Sequence, residues 1–196
     1  PAAIVCATFT NRAANEMKRR VRALLGDLDL GRISTIHAFC VQFLREEIHV
    51  LHYPKEFIVL DVDDQRAMLG KIFHDMGLTI RDMTIQEAVD DVLEAFKFLA
   101  DSYVELFLAP DEAALRASYA PGDRKREIFA RFLWEQKKCG GLDFNDLINF
   151  TSYILRKFPD VRARWQERVE YVMMDEFQDV SQRQYDIAKM LSGRTK

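Results

Sequence analysis

The chain has 196 residues, 48% of them hydrophobic and 30% charged, with a formal net charge of −3. That is an ordinary globular composition, large enough for one good core or for one core and a satellite domain, and without the overall basic field that announces a nucleic-acid partner. No apolar run approaches the roughly 20 residues that span a bilayer, and Cys6, Cys40 and Cys139 form no CxxC pair, so the expectation is a reduced, cytoplasmic protein with no membrane contact and no structural metal.

The first element is "AIVCATF", a continuous apolar run rich in β-branched residues, as in a buried parallel strand. It starts almost at Pro1, without the basic region and apolar stretch of a secretory signal, and this abrupt opening is expected of a piece cut from a longer chain. Thr10 or Asn11 caps the helix that follows, "NRAANEMKRRVRALLG", in which Ala14, Met17, Val21, Leu24 and Leu25 share one face and Gly26 ends the run. The opposite face carries Arg12, Lys18, Arg19 and Arg22. A short strand "RISTI" and a helix "HAFCVQFLREEIHVL", with Phe39, Val41, Phe43, Leu44 and Ile48 inward, complete the first part.

From about Tyr53 to Pro159 the pattern is helical throughout, punctuated at Gly77, Pro110, Pro121-Gly122, Gly140-Gly141 and Pro159. After Pro159 the order helix, buried strand, loop, helix returns in "VRARWQERVEYVMMDEFQDVSQRQYDIAKMLSG". Strand-bearing flanks around a helical middle indicate an α/β fold: one parallel sheet, interrupted by a large all-helical insertion. The expected division is 1–48 and 160–196 for the sheet part and 49–159 for the insertion.

Four short stretches carry candidate chemistry. "YVMMDEFQD" drives a strand into Asp175 and Glu176, and in open α/β sheets ligands bind beyond the carboxyl ends of the strands. In P-loop ATPases an acidic residue there holds Mg²⁺, a neighbouring carboxylate orients and deprotonates the attacking water, and Gln178 is placed to report the γ-phosphate. The bland alternative is a strand whose acidic end caps the next helix. "TFTN" puts Thr8, Phe9, Thr10 and Asn11 at a strand-to-helix junction, where backbone N–H groups favour phosphate and Phe9 offers a face to a base, unless that ring is simply core. "STIHAFC" places Thr35 and His37 at a second such junction, for DNA phosphate or for a local hydrogen bond. "GGLDFNDLI" presents Phe144 between Asp143 and Asp146, either toward a groove or as part of an N-capped helix after a glycine hinge.

Together and in this order, "TFTNRAANEMKRRV", "ISTIHAFCVQFLRE", "LDFNDLI" and "VMMDEFQDVSQRQY" resemble the superfamily 1A DNA helicases of the UvrD/Rep/PcrA type. The resemblance is close over both flanks and loose over the middle. It implies part of a RecA-like motor domain of the P-loop NTPase type (1A) with its helical insertion (1B). It also implies a second motor domain elsewhere in the full-length protein, ATP and Mg²⁺ as cofactors, and 3′-to-5′ movement on single-stranded DNA and at single-strand/duplex junctions. Residue by residue, Asp175 resembles the Mg²⁺-coordinating aspartate, Glu176 the catalytic glutamate and Gln178 the coupling glutamine. Thr8, Phe9, Thr10, Asn11 and Arg12 fall in the first DNA motif, Thr35 and His37 in the next, and Phe144 resembles an aromatic that meets single-stranded DNA from the insertion.

Asn145 stands where an Asp is common and Val180 where a Thr is common, and "STIHAFC" is also similar to the AddA/RecB helicase–nuclease branch. No GxxxxGK(S/T) phosphate loop occurs in the 196 residues. The family carries it upstream of "TFTN", so the chain alone is expected to be inactive. A rival reading makes the helical middle a non-catalytic docking platform for DNA or protein, using Arg124, Lys125, Arg126, Arg131, Lys137 and Lys138.

Overall fold

A computed structural model describes residues 3–26 and 32–192. Pro1 and Ala2, ahead of the first strand, and the closing "GRTK", Gly193 to Lys196, lie outside the described residues. The fold is mixed α/β with parallel sheets and divides into two compact units, 1–55 with 150–196, and 56–149. Residues 49–55 and 150–159, assigned to the insertion on sequence, group with the sheet unit. Tyr53 packs on Phe150, ring centroids 6.3 Å apart, and the buried Phe150, Ile154 and Leu155 belong to that unit's core.

The first unit is built on strand β1 (Ile4–Thr8), which lies between β2 (Arg32–Thr35) and β5 (Tyr171–Met174) in the order β2-β1-β5. Both pairings are parallel, with Cys6 opposite Ile33 and Met173, and Thr8 opposite Thr35. Val5, Cys6, Ala7 and Thr8 are all buried, as a central parallel strand covered on both faces requires. Helix α1 (Asn11–Leu25) is capped by the Thr10 hydroxyl, which accepts the Ala13 N–H at 3.1 Å, and ends at Gly26, whose φ of 77° favours glycine. Of the five residues expected inward on this helix only Ala14 is buried; Leu24 and Leu25 are exposed by 83% and 60%.

Helix α2 (Ile36–Glu47) and α10 (Pro159–Arg168) enclose Phe39, Phe43 and Trp165. The Trp165 ring meets Phe39 edge-on at 5.7 Å and Phe43 at 4.8 Å, and its N–H donates to the buried Glu47 carboxylate at 2.9 Å. Arg164 donates to the other oxygen of Glu47 at 2.8 Å, so this buried charge is paired. Helix α11 (Gln182–Ser192) follows β5 and buries Ile187, Ala188 and Leu191.

The second unit is not all helical. Strand β3 (Ile58–Leu60) pairs in parallel with β4 (Gly141–Asp143), and Gly141 passes so close to Leu60 that a Cβ there would stand 2.7 Å from its Cδ1. Strands of three residues are too short to show a period of two. Around them run α3 (Val62–Met76), α4 (Ile85–Glu87), a π-helical stretch Ala88–Glu94, α5 (Ala95–Lys97), α6 (Asp101–Phe107), α7 (Glu112–Ala117) and α8 (Arg124–Lys138), then α9 (Phe144–Lys157), which carries the chain across the boundary between the units. A capping box between Asp61 and Asp64 opens α3, and Gly77, with φ 64°, closes it. The helical stretch over 84–109 breaks at Ala100, whose φ is 46°. Among the described residues no helix is long and apolar enough to cross a membrane.

Inside this unit Lys97, Asp143 and Asp146 are each almost wholly buried, with Lys97 Nζ bonded to both carboxylates. Burial opposes the charge on Lys97, but the fields of the two aspartates outweigh it and raise its pKa. Burial, then the field of Asp143, pushes Asp146 up to about 6. A folded-state carboxyl value above that of the unfolded chain contributes stability that is fully present below the unfolded value and lost as pH rises through the folded one. Hydrogen-exchange protection over 56–149 is therefore expected to fall as pH rises from about 4 to about 6, after correction for the intrinsic exchange rate, and Asp146→Asn is expected to flatten that slope. An unchanged slope in the variant excludes Asp146 as its source.

Candidate functional site

Parallel pairing brings the carboxyl ends of β2, β1 and β5 to one edge, and the residues that follow them gather there. A cleft of about 10 Å³ is lined by Thr8 and Phe9 from the end of β1, Ile36 from the start of α2, and Asp175, Glu176, Val180 and Gln184 from β5 onward. Two of the four stretches singled out on sequence thus meet in one place, and the third joins them through Ile36 and the pairing of Thr35 with Thr8. Phe144 belongs to the other unit.

The Asp175 N–H donates to the Ala7 carbonyl at 2.9 Å, extending the β1–β5 ladder by one bond and fixing this carboxylate at the sheet edge. One oxygen of Asp175 accepts the N–H of Glu176 at 3.0 Å. Glu176 sits in the left-handed region with φ 51°, a conformation that costs a non-glycine residue about 1–2 kcal/mol. Its carboxylate accepts from the Gln178 side-chain amide at 2.6 Å. The chain then makes a single 3₁₀ turn, Phe177–Asp179, in which the exposed Phe177 meets Tyr185 edge-on at 5.9 Å. Ser181 and Gln184 cap α11 reciprocally, the Ser181 N–H donating to Gln184 Oε1 at 3.0 Å and the Gln184 N–H to Ser181 Oγ at 3.4 Å. The acidic end of the strand is thus not the cap of the next helix, and both carboxylates remain exposed.

The donor set suits Mg²⁺, which keeps several waters and takes one or two carboxylates plus substrate phosphates. Asp175 is the residue fixed to the sheet and offers the oxygen opposite its bond to Glu176. Among the described residues no group of three or more His, Cys, Asp or Glu forms a closed metal cage.

At the end of β1 the Thr8 hydroxyl is buried and donates to the Thr10 carbonyl at 2.9 Å, while Thr10 is occupied capping α1; both hold the turn. The same turn leaves Phe9 exposed by 63%, with Asn11 and Arg12 exposed beyond it. Thr35 is buried and its hydroxyl caps α2 by accepting the Ala38 N–H at 3.2 Å. His37 is half-buried, and burial lowers its pKa, favouring the neutral ring. On the outer face of α1, Arg19 and Arg20 both bond Glu16 and hold its carboxyl down at about 2. Burial pushes the Cys40 thiol up to about 12 and raises Cys6 as well, so neither is a ready nucleophile.

In the second unit Phe144 is the first residue of α9 and is 48% exposed, between the buried Asp143 and Asp146. Lys97, Tyr103, Gln65 and Gln136 bond these two aspartates, and no sequence motif marks them. Lys97 lies in the amphipathic stretch "LEAFKFLA", where nothing local marks it as buried. The basic residues considered as a platform are largely neutralised: Arg124 pairs with Asp82, Lys125 with Asp91, Arg126 with Asp123, Arg131 with Glu127 and Lys138 with Glu135.

Residues 1–196 match the family model described as the UvrD/REP helicase N-terminal domain. The chain is 33% identical to the ATP-dependent DNA helicase PcrA of Leuconostoc citreum, covering 100% of this chain and 25% of that protein. It is 33% identical to the ATP-dependent DNA helicase Rep of Escherichia coli, over 97% of this chain and 27% of that one. It is 31% identical to the ATP-dependent DNA helicase UvrD1 of Mycobacterium leprae, over 97% and 24%. The chain thus spans about a quarter of the length of these relatives.

The left-handed backbone at Glu176 has a measurable consequence. Glu176→Gly is expected to be more stable to urea than Glu176→Ala by about 1 kcal/mol, because both lack the carboxylate but only glycine adopts this φ without strain. The extra freedom of glycine in the unfolded chain offsets part of that gain. Equal midpoints would show that the turn relaxes at little cost.

Proposed function

The chain belongs to the UvrD/REP helicase N-terminal domain family, and from that premise we propose that it is part of an ATP-dependent DNA helicase that moves 3′ to 5′ on single-stranded DNA in repair or recombination. The observation that carries the reading is the meeting of Asp175 and Glu176 with Phe9 at the carboxyl edge of one parallel sheet. A nucleotide end and a nucleic-acid end side by side are what coupling hydrolysis to movement requires. The whole protein would work in the cytoplasm with ATP and Mg²⁺, closing a second motor domain against this one.

Asp175, anchored to β1 through its backbone, would hold Mg²⁺ through water, and the bound ion would supply charge neutralisation to the reacting phosphates. Glu176 would orient the attacking water and accept its proton. The Gln178 amide, bonded to Glu176, holds the carboxylate until nucleotide competes for it, which makes it the link between nucleotide state and the rest of the domain. On the DNA side, Phe9 would stack on a base, with the N-terminal N–H groups of α1, Asn11 and Arg12 toward phosphate. Thr8, Thr10 and Thr35 shape the two junctions from within, and the neutral ring of His37 would donate a hydrogen bond rather than charge. Phe144 would meet the strand from the helical unit. The pairing of the surface arginines and lysines with carboxylates leaves little net charge for a docking platform, so the motor reading is preferred.

In the full-length protein, Glu176→Gln is expected to keep ATP binding and lower DNA-stimulated turnover by at least about a hundredfold; turnover near wild type would remove Glu176 from its role. The 196-residue chain, which contains no phosphate-loop sequence, is expected to show no Mg²⁺- and DNA-dependent ATP turnover. Its affinity for labelled oligothymidylate is expected to fall about two- to threefold between about 50 and 200 mM salt if Arg12 faces phosphate, the release of one counterion. Salt-insensitive binding would return the docking-module reading to the front.

A further inference from the structure

Phe144 is held in place by an arrangement of charge that a simple helix start does not need. Asp143 and Asp146 form a reciprocal box across the first turn of α9: the Asp146 N–H donates to Asp143 Oδ1 at 3.0 Å, and the Asp143 N–H to Asp146 Oδ2 at 2.8 Å. Such boxes normally stand in water. Here both carboxylates are buried, and each is further bonded from several directions. Lys97 Nζ reaches Asp143 Oδ2 and Asp146 Oδ1, the latter at 2.9 Å. The Tyr103 hydroxyl donates to Asp146 Oδ1, the Gln136 amide to Asp146 Oδ2, and the Gln65 amide to Asp143 Oδ2 at 2.7 Å. Lys97 is also fixed at its backbone, its carbonyl accepting from the Asn149 side chain in the second turn of the same helix at 3.0 Å.

A buried ion cluster is seldom more stable than apolar packing of the same volume, so stability alone does not account for it. What the cluster determines is local, because its bonds converge on the junction of β4 and α9. Without the lysine, two carboxylates less than a turn apart would repel in a low-dielectric interior and push the reciprocal box apart. With it, that repulsion is offset and the backbone on either side of Phe144 is clamped. The ring between them, half exposed, then has a fixed point of departure.

We propose that Lys97 is a positioning residue for Phe144: with Asp143 and Asp146 it fixes the β4–α9 junction so that the ring is preorganised to stack on a base of single-stranded DNA. This rests on the reading of Phe144 as a DNA contact. A contact residue on an ordered junction does not spend binding energy on ordering it, so the lysine acts on affinity without touching the nucleic acid.

The test is a double-mutant cycle in the 196-residue chain, with a fluorescein-labelled oligothymidylate read by anisotropy and folding checked by circular dichroism. Phe144→Ala is expected to weaken binding about tenfold, the loss of one stack. Lys97→Met with Asp146→Asn keeps the net charge of the cluster and the acceptor for the Asp143 N–H. It is expected to weaken binding by a similar factor, with the salt slope unchanged because no phosphate contact is removed. Added to Phe144→Ala, it is expected to cost nothing more, the signature of action through that ring. Tyr103→Phe, which deletes one bond to Asp146 and conserves shape, is expected to give a smaller loss that also vanishes without Phe144, and it decides the matter should the first variant not fold. Wild-type affinity in the folded cluster variants, or losses that add to that of Phe144→Ala, would overturn the role of Lys97 while leaving the DNA contact standing. Wild-type affinity in Phe144→Ala would overturn the contact itself, and the positioning proposal with it.

Discussion

The placement of β1 between two parallel neighbours is the constraint on which the first unit depends. Parallel strands all deliver their carboxyl ends to the same edge, so every strand-to-helix junction in this sheet opens in one direction. Thr8 lies opposite Thr35 in one pairing, and Ala7 opposite Met174 in the other. That register sets Phe9 beside Asp175 although 166 positions separate them in the sequence. A slip of one residue in either ladder would turn Asp175 or Thr35 to the opposite face and dissolve the cleft. The burial of Val5, Cys6, Ala7 and Thr8 is what makes the slip costly.

Two different means hold exposed, contacting groups in fixed positions. At Glu176 it is backbone strain: a left-handed residue directly after the last ladder bond, with its carboxylate tied to Gln178. At Phe144 it is buried charge beneath a capping box. Both carry a free-energy cost that neither core packing nor helix propensity explains, and both stand next to side chains turned outward. The cost is of different kinds. Strain relaxes by a local rotation, so a turn held that way can change conformation when a ligand competes for its hydrogen bonds. A buried ion cluster has no nearby alternative state, since any rearrangement strands a charge in the interior. Under the proposed function, the first suits a group that responds to bound nucleotide, and the second suits one that stays where it is.

The sequence shows clearly those parts of the fold that depend on local chemistry. The apolar β-branched run at Ile4–Thr8, the Thr10 cap, the Gly26 and Gly77 stops and the Asp61 box are each decided within a few residues, and the structure has them where those residues put them. The acidic strand end was legible too, although its company, not its own pattern, separated it from a helix cap. What was not legible depends on partners remote in sequence. Leu24 and Leu25 have the spacing of a core face, but burial needs an opposing surface, and both are exposed. Strands β3 and β4 are only three residues each, below the length at which alternation can be read, and their pairing is visible only where Gly141 makes room for Leu60. The break at Ala100 has no glycine or proline to announce it.

Lys97 is the sharpest case of that limit. Its helical neighbours Phe96 and Phe98 mark an amphipathic stretch in which a lysine ordinarily faces water, yet its ammonium lies among Asp143, Asp146 and the rings of Tyr103 and Phe132, each ring centroid 5.4 Å away. Likewise, the aspartates of "LDFND" read correctly as a helix start, but nothing within that stretch says the start is buried. Only their meeting across 46 and 49 positions turns two ordinary features into one uncommon one. Local pattern therefore identifies residues at the exposed ends of elements, and long-range pairing identifies which residues hold them there. The second set escapes a motif search because its members are defined by bonds to remote residues and not by a local pattern.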